Sequence, residues 1–234
     1  MRILAIGAHP DDLEILCGGT LARYVDEGHE VTMAMVANGD LGSFVHDREE
    51  IAGLRAEEAR ASAGVAGAEH VGLGVSDGEV NAASPEQRRL VVDLVRAVGP
   101  DVIITHAPND YMTDHNEVSK LVFDTSFLAT LPLLETAHPH HGTVTPLFYM
   151  DTVTGLQFDP TEYVDISGHL ETKLEMFSQH RTQLEWLRDH DGVDMLEQLR
   201  AVARFRGLQC GVDYAEGFRP CNVWLRATTT RLLP

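Results

Sequence analysis

Arg2 to Glu14 reads RILAIGAHPDDLE. The first half is a short apolar run closed by Gly7, the pattern of a strand buried in a parallel sheet. The second half crowds His9, Asp11, Asp12 and Glu14 together, and each of these can ligate a metal or move a proton. Carboxylates packed this tightly repel one another and resist burial, so their place at the end of a core strand asks for a compensating charge. From about Leu13 to Glu27 the chain reads as a helix that stops near Gly28, with Glu14 in its first turn, where a carboxylate suits the helix dipole. The same unit then recurs. Glu30 to Val36 (EVTMAMV) is a second strand, followed by the turn-rich loop ANGDLGS from Ala37 to Ser43. A charged helix from about Asp47 to Ala63 and a short strand around His70 to Leu73 come next. Ser84-Pro85-Glu86-Gln87 combines an N-cap serine, a first-turn proline and a capping-box glutamine. That helix runs to about Val98, and DVIITH (Asp101 to His106) is a fourth strand.

Strand–helix alternation at this spacing predicts an α/β fold, a mostly parallel sheet wound by right-handed crossovers with helices on both faces. Sites in such sheets form beyond the carboxyl ends of the strands. The polar loops AHPDD, NGDLGS and HAPNDYMTDH therefore converge on one edge. The last third predicts a smaller C-terminal β/α portion. Its strands are PLFYMDTV, EYVDIS and a closing CNVWLRA, and its helices are Gly168 to His190 and Val193 to Phe205. No linker or repeat divides the chain, so a single domain over residues 1–234 is expected.

Composition narrows the function. Eighteen basic residues face 36 acidic ones, a net charge of −18. Phosphate binding needs a basic surface, so nucleic acid and anionic lipid are not expected partners. Three widely spaced cysteines make no disulfide framework, and the first residues do not read as a signal peptide. A cytoplasmic location is expected. No apolar stretch approaches membrane-spanning length, so no membrane insertion is expected.

Zinc takes imidazole and carboxylate, and a catalytic site supplies three protein ligands. His9 and Asp12 sit on a loop entering a helix, spaced so that both face one point. The best third ligand is His115, in NDYMTDHNE. Iron and other divalent metals accept similar sets. Asp11, between the two proposed ligands, should point elsewhere and is a candidate general base. Asp114 is a candidate to orient a ligand. Blander readings stand beside these: Asp11 or Asp12 as a helix cap, Asp114 as a cap, and Arg55 on an exposed helix paired with a nearby acid. His106 reads as a strand end, and His138, His140 and His141 as a solvated loop near the site mouth. The Met and aromatic residues of Leu174 to Leu187 read as packing.

AHPDD-x-E after an N-terminal strand, with a later DH after a strand ending ITH, resembles the LmbE-like (PIG-L) family of N-acetylglucosaminyl deacetylases. Weaker likenesses are NGDLGS, R-x-EEA at Arg55 to Ala59, SDGEV at Ser76 to Val80, and K…SQHRTQ at Lys173 to Gln183. The resemblance implies a Rossmann-like fold and divalent-metal hydrolysis of the N-acetyl group of an amino sugar, usually with zinc. It implies His9, Asp12 and His115 as metal ligands and Asp11 as general base. It also implies a small-molecule amino-sugar substrate and a homo-oligomer. One position departs. The family's second motif often reads His-x-Asp-His, its first histidine stabilising the tetrahedral intermediate, whereas here Met112 holds that place. A thioether donates no hydrogen bond, and one lost donor costs ~10²–10³ in rate. Tyr111, His106 and His180 are the candidate replacements. Two alternatives follow: another acyl-amide or ester hydrolase on the same centre, or a non-catalytic sugar-binding relative. Specificity is expected in the loops Ala107 to Thr113 and Thr136 to Thr145.

Overall fold

The first strand of the computed structural model, which describes residues 1–234, is buried from Ile3 to Gly7. This strand, β1 (Arg2–Gly7), alternates between two cores. Ile3 and Ala5 join Leu13, Leu16, Leu21 and Phe177, while Leu4 and Ile6 join Val91, Val95, Leu121 and Val122. An unbroken apolar run is what a strand covered on both faces requires.

The chain continues as α1 (Asp12–Asp26), β2 (Glu30–Ala37), α2 (Arg48–Ala66), β3 (Glu69–Val75), α3 (Pro85–Val98), β4 (Val102–Thr105) and α4 (Thr113–Leu128). The last third holds β5 (Leu147–Met150), β6 (Glu162–Asp165), α5 (Leu170–Ser178), α6 (Arg181–Trp186), a π-helical turn (Leu187–Asp191), α7 (Met195–Cys210) and β7 (Ala215–Pro220). One seven-stranded sheet runs in the order β3-β2-β1-β4-β5-β7-β6. Every strand but β7 points the same way, because β7 pairs antiparallel with both β5 and β6. The Ser84 hydroxyl caps α3 by accepting from the Gln87 amide, and Asp47 caps α2 through the Glu50 amide. Both caps satisfy N–H groups that a helix start leaves unpaired.

Two expectations are corrected. The closing strand is not CNVWLRA but AEGFRP, just before it. Glu216 hides this strand in the sequence, and its buried carboxylate is satisfied by the Gly19 and Thr20 amides of α1 and by Lys173. After Cys221 the chain turns out of the sheet, and Trp224 is 87% exposed. The helix expected from Gly168 to His190 is broken at Gln179–His180. His180 leaves helical geometry (ψ 64°) and lies fully buried, 3.0 Å from Glu14. The parallel order reverses at β1, since β2 lies on one side and β4 on the other. The carboxyl ends of β1 and β4 therefore flank the crevice where such folds place their sites.

Candidate functional site

The turn after β1 holds Asp11 at φ 122°, a conformation that non-glycine residues seldom adopt and that costs about 1–3 kcal/mol. Contacts from several elements hold it. Arg55 of α2 donates to the Pro10 carbonyl (2.6 Å), the Ala8 amide donates to His106 Nε2 (2.9 Å), and the His9 amide donates to Asp12 Oδ2 (2.6 Å). Asp11 takes the N-cap position of α1, as one reading had it, but its side chain makes no cap hydrogen bond.

His9, Asp12 and His115 come together, with donor atoms all within 4.8 Å of one another. His115 Nε2 lies 3.1 Å from Asp12 Oδ1, and His9 Nδ1 lies 3.5 Å from Asp12 Oδ2. The outward nitrogens face carboxylates: His9 Nε2 is 3.0 Å from Asp114 and His115 Nδ1 is 3.2 Å from Asp110. A histidine backed by a carboxylate is the arrangement that orients a metal ligand. Both His115 nitrogens are buried and lack a well-aligned hydrogen bond, despite the close oxygens. This donor set fits a divalent cation. The charges agree. Burial opposes charge on His9, but Asp114 and Asp12 outweigh it and lift its pKa to about 10. Burial likewise opposes charge on His115, and Asp12 and Asp110 lift it to about 9. The carboxylates hold positive charge here in any form they can.

His106 behaves differently. Burial first, then His115, push it down to about 4, so it is neutral. Its Nε2 accepts from the Ala8 amide, which fixes the tautomer and leaves that nitrogen no proton to give Asp12, 3.2 Å away. Its ring stacks on His115, centroids 4.0 Å apart. It is a structural prop for His115, which the strand-end reading missed.

Asp11 is 7% exposed, and burial raises its carboxyl to about 6 against the pull of Arg55, 3.5 Å away. With His9 and Asp12 it lines a cavity of about 530 Å³ whose mouth includes Tyr111 and Met112. Of the candidate replacements for the missing donor, Tyr111 lines this cavity, whereas His106 and His180 are fully buried and do not. A larger cavity of about 1040 Å³ lies between Arg2, Glu30, Arg89 and Glu135, at the opposite end of the strands, and none of the candidate ligands lines it.

The likeness to known proteins agrees with this geometry. The sequence profile described as PIG-L: GlcNAc-PI de-N-acetylase matches residues 4–126. The chain belongs to the PIG-L family. His9, Asp12 and His115 all fall inside the PIG-L match. The diacetylchitobiose deacetylase of Thermococcus kodakarensis is 28% identical over 231 residues, covering 93% of this chain and 82% of that one. The 1D-myo-inositol 2-acetamido-2-deoxy-alpha-D-glucopyranoside deacetylase of Rhodococcus erythropolis is 26% identical, covering 78% and 81%. Among solved structures, N,N'-diacetylchitobiose deacetylase from Pyrococcus horikoshii superposes with a TM-score of 0.81 at 27% identity, covering 93% and 82%. The hydratase GalB from Pseudomonas putida superposes at 0.83 with 20% identity, covering 99% and 100%, a likeness of fold alone.

Several other residues lie where the sequence did not put them. Arg55 is 3% exposed, not on an open helix face, and reaches the Pro10 and Gly39 carbonyls. Gly39 makes room for it: at φ 78°, a Cβ there would sit 2.5 Å from Arg55 Cδ. Gly39→Ala is expected to lose roughly 1–3 kcal/mol of stability, read from denaturant midpoints. Glu14 does lie in the first turn of α1 as expected, but fully buried between His180 and Ser62. Asp114 is not the cap of α4, a place Met112 takes; its carboxylate accepts from the Gly78 amide (2.7 Å) as well as meeting His9. The histidine tract lies at the amino edge of the sheet, away from the site. His138 pairs with Asp93 of α3, and His141 bonds near Pro100. The loop 136–145 thus does not border the cavity, while Tyr111, Met112 and Thr113 do. Asp110 went unnoticed, although it sits in the quoted NDYMTDHNE.

Proposed function

We propose that this chain, as one domain over residues 1–234, is a metal-dependent N-deacetylase. Its substrate is an N-acetylglucosamine-type amino sugar or its glycoside, and its metal is zinc or a similar divalent ion such as iron. The observation that carries this reading is a buried His9–Asp12–His115 set, of which His9 and Asp12 line one cavity with a carboxylate, Asp11, that is raised to about 6 and left outside that set. His9, Asp12 and His115 would hold the divalent cation, which when bound would supply a Lewis acid able to polarise an amide carbonyl and acidify water. Asp11 is placed to take the proton from the attacking water and return it to the leaving amine. Atoms balance as amide plus water to acetate plus amine. Tyr111, 78% exposed at the mouth, carries a phenol that nearby Asp12 helps keep protonated and stands as the donor in place of Met112. Asp114 and Asp110 fix the ring orientations of His9 and His115.

Acetate release is the test. Zinc-loaded protein is expected to free acetate and amine in equal amounts from an N-acetylated amino sugar and to stop on chelation. Release only from esters or from longer acyl amides would replace the reading with the broader hydrolase. Asp114→Asn is expected to weaken metal affinity about 10–100-fold, read by competition with a chelating dye. No helix of the chain is long and apolar enough to cross a membrane.

A further inference from the structure

The stretch CNVWLRA has the composition of a strand, yet its apolar middle stands in water. After Cys221 the chain makes a tight turn, closed by the Arg226 amide donating to the Val223 carbonyl (3.0 Å). Trp224 and Leu225 form the tip of this turn and are 87% and 50% exposed. The turn is pinned from below. Arg226 is buried and donates to the Thr145 carbonyl (3.0 Å), the Phe123 carbonyl (2.9 Å) and the Ser126 hydroxyl (3.0 Å), with its guanidinium over the Phe123 ring. Leu225 sits at φ 70°, a left-handed conformation that glycine adopts freely and a bulky residue does not. Glycine here would relieve the strain but display no side chain. Strain of this kind marks positions where what is displayed has a use. Beside the tip, Phe123 and Phe127 of α4 and Val144 line an apolar groove of about 320 Å³, with room for one indole.

Three observations define the occupant. The first is shape. A projecting tryptophan and a groove that would take one lie side by side on one face, so a two-fold axis between them seats each knob in the other copy's groove. The second is area. Phe123, Phe127 and Val223 are each about two-fifths exposed. Taking about 200 Å² for an open aromatic side chain and somewhat less for an aliphatic one, they leave roughly 500 Å² of apolar surface open together with Trp224 and Leu225. Two copies meeting there bury about 1,000 Å², the size at which specific interfaces begin. The third is charge. A net charge of −18 sets copies of this chain against each other over most of the surface. The groove is lined instead by two arginines, Arg88 and Arg226, against one acid, Asp124, so repulsion between copies is least on this face. We propose that the Trp224 turn and the α4 groove form a two-fold interface through which two copies of this chain pair, each Trp224 packing against Phe123 and Phe127 of the other copy. This pairing stands apart from the deacetylase reading and does not depend on it.

Sedimentation velocity over a wide range of concentrations tests the pairing. Wild type is expected to run at twice the chain mass, or in a larger assembly built from such pairs. Trp224→Ala is expected to raise the dissociation constant of the pair by about 30-fold or more, the scale of a hot-spot tryptophan, with an unchanged circular dichroism spectrum. Trp224→Phe is expected to keep most of the affinity, and it covers the case in which the alanine variant fails to fold. Leu133→Ala, at a residue 94% exposed but outside the groove, is expected to leave the assembly unchanged. The other tryptophan, Trp186, lines the candidate site's cavity just before the π-turn. In a Trp186→Phe background the emission of Trp224 is expected to move to longer wavelength as dilution splits the pair. A monomeric wild type, or an assembly that Trp224→Ala leaves intact, would overturn the proposal. So would a trimer that Trp224→Ala breaks into monomers, since the turn would then sit at a three-fold contact.

Discussion

Asp11→Asn is expected to lower kcat by about 10²–10⁴ while leaving the metal in place, because it removes only the group that accepts water's proton. The substitution is nearly isosteric. Asparagine tolerates the positive φ at this position as well as aspartate does, so the turn that carries His9 and Asp12 should hold. Arg55 loses a neighbouring charge but keeps its bonds to the Pro10 and Gly39 carbonyls. KM should therefore move much less than kcat. Steady-state kinetics with metal analysis on the same sample separates the cases. Undiminished kcat with bound metal would remove Asp11 from the mechanism, and loss of metal would make it a ligand instead.

His115→Ala is expected to abolish both metal binding and turnover. The imidazole presents one nitrogen to Asp12 and is oriented through the other by Asp110, and its ring packs on His106. Water in the space left by alanine is a far poorer donor than a preorganised imidazole. The pH dependence follows from the same groups. In metal-free protein His9 and His115 have pKa values of about 10 and about 9, above the unfolded value near 6.5. Their contribution to stability is fully present below about pH 6.5 and is lost as pH rises through 9 to 10. A metal must displace those protons, so its affinity should rise with pH. Melting temperatures of metal-free and metal-loaded protein should therefore diverge as pH increases from 6.5 to 9. Parallel curves would contradict the assignment of these two histidines.

The parallel half of the fold was legible because its signals are local. RILAIG and DVIITH are unbroken apolar runs, and Ser84-Pro85-Glu86-Gln87 is a cap with a mechanism. The edge on which the loops converge followed from chain direction alone. The C-terminal portion was less legible because its pairing is non-local. β7 carries Glu216, acceptable in a buried strand only because Lys173 and the amides of Gly19 and Thr20 meet it from distant positions. His180 breaks a helix for a partner, Glu14, on another element. The PIG-L likeness pointed to His9, Asp12 and His115, and spacing made them reasonable. Arg55 was misplaced because nothing in a charged, alanine-rich helix says which arginine turns inward. Trp186 was read as packing because helical spacing does not foretell a π-turn.

The crowding of acids after β1 has one physical resolution in this account, a divalent cation among His9, Asp12 and His115. Elemental mass spectrometry on wild-type protein and on His115→Ala, each purified without added metal and then offered zinc, tests that most directly. About one zinc or iron per chain in the wild type, absent from the variant, is the predicted result. A wild type that takes up no metal, or a variant that holds it as well as the wild type does, would contradict it.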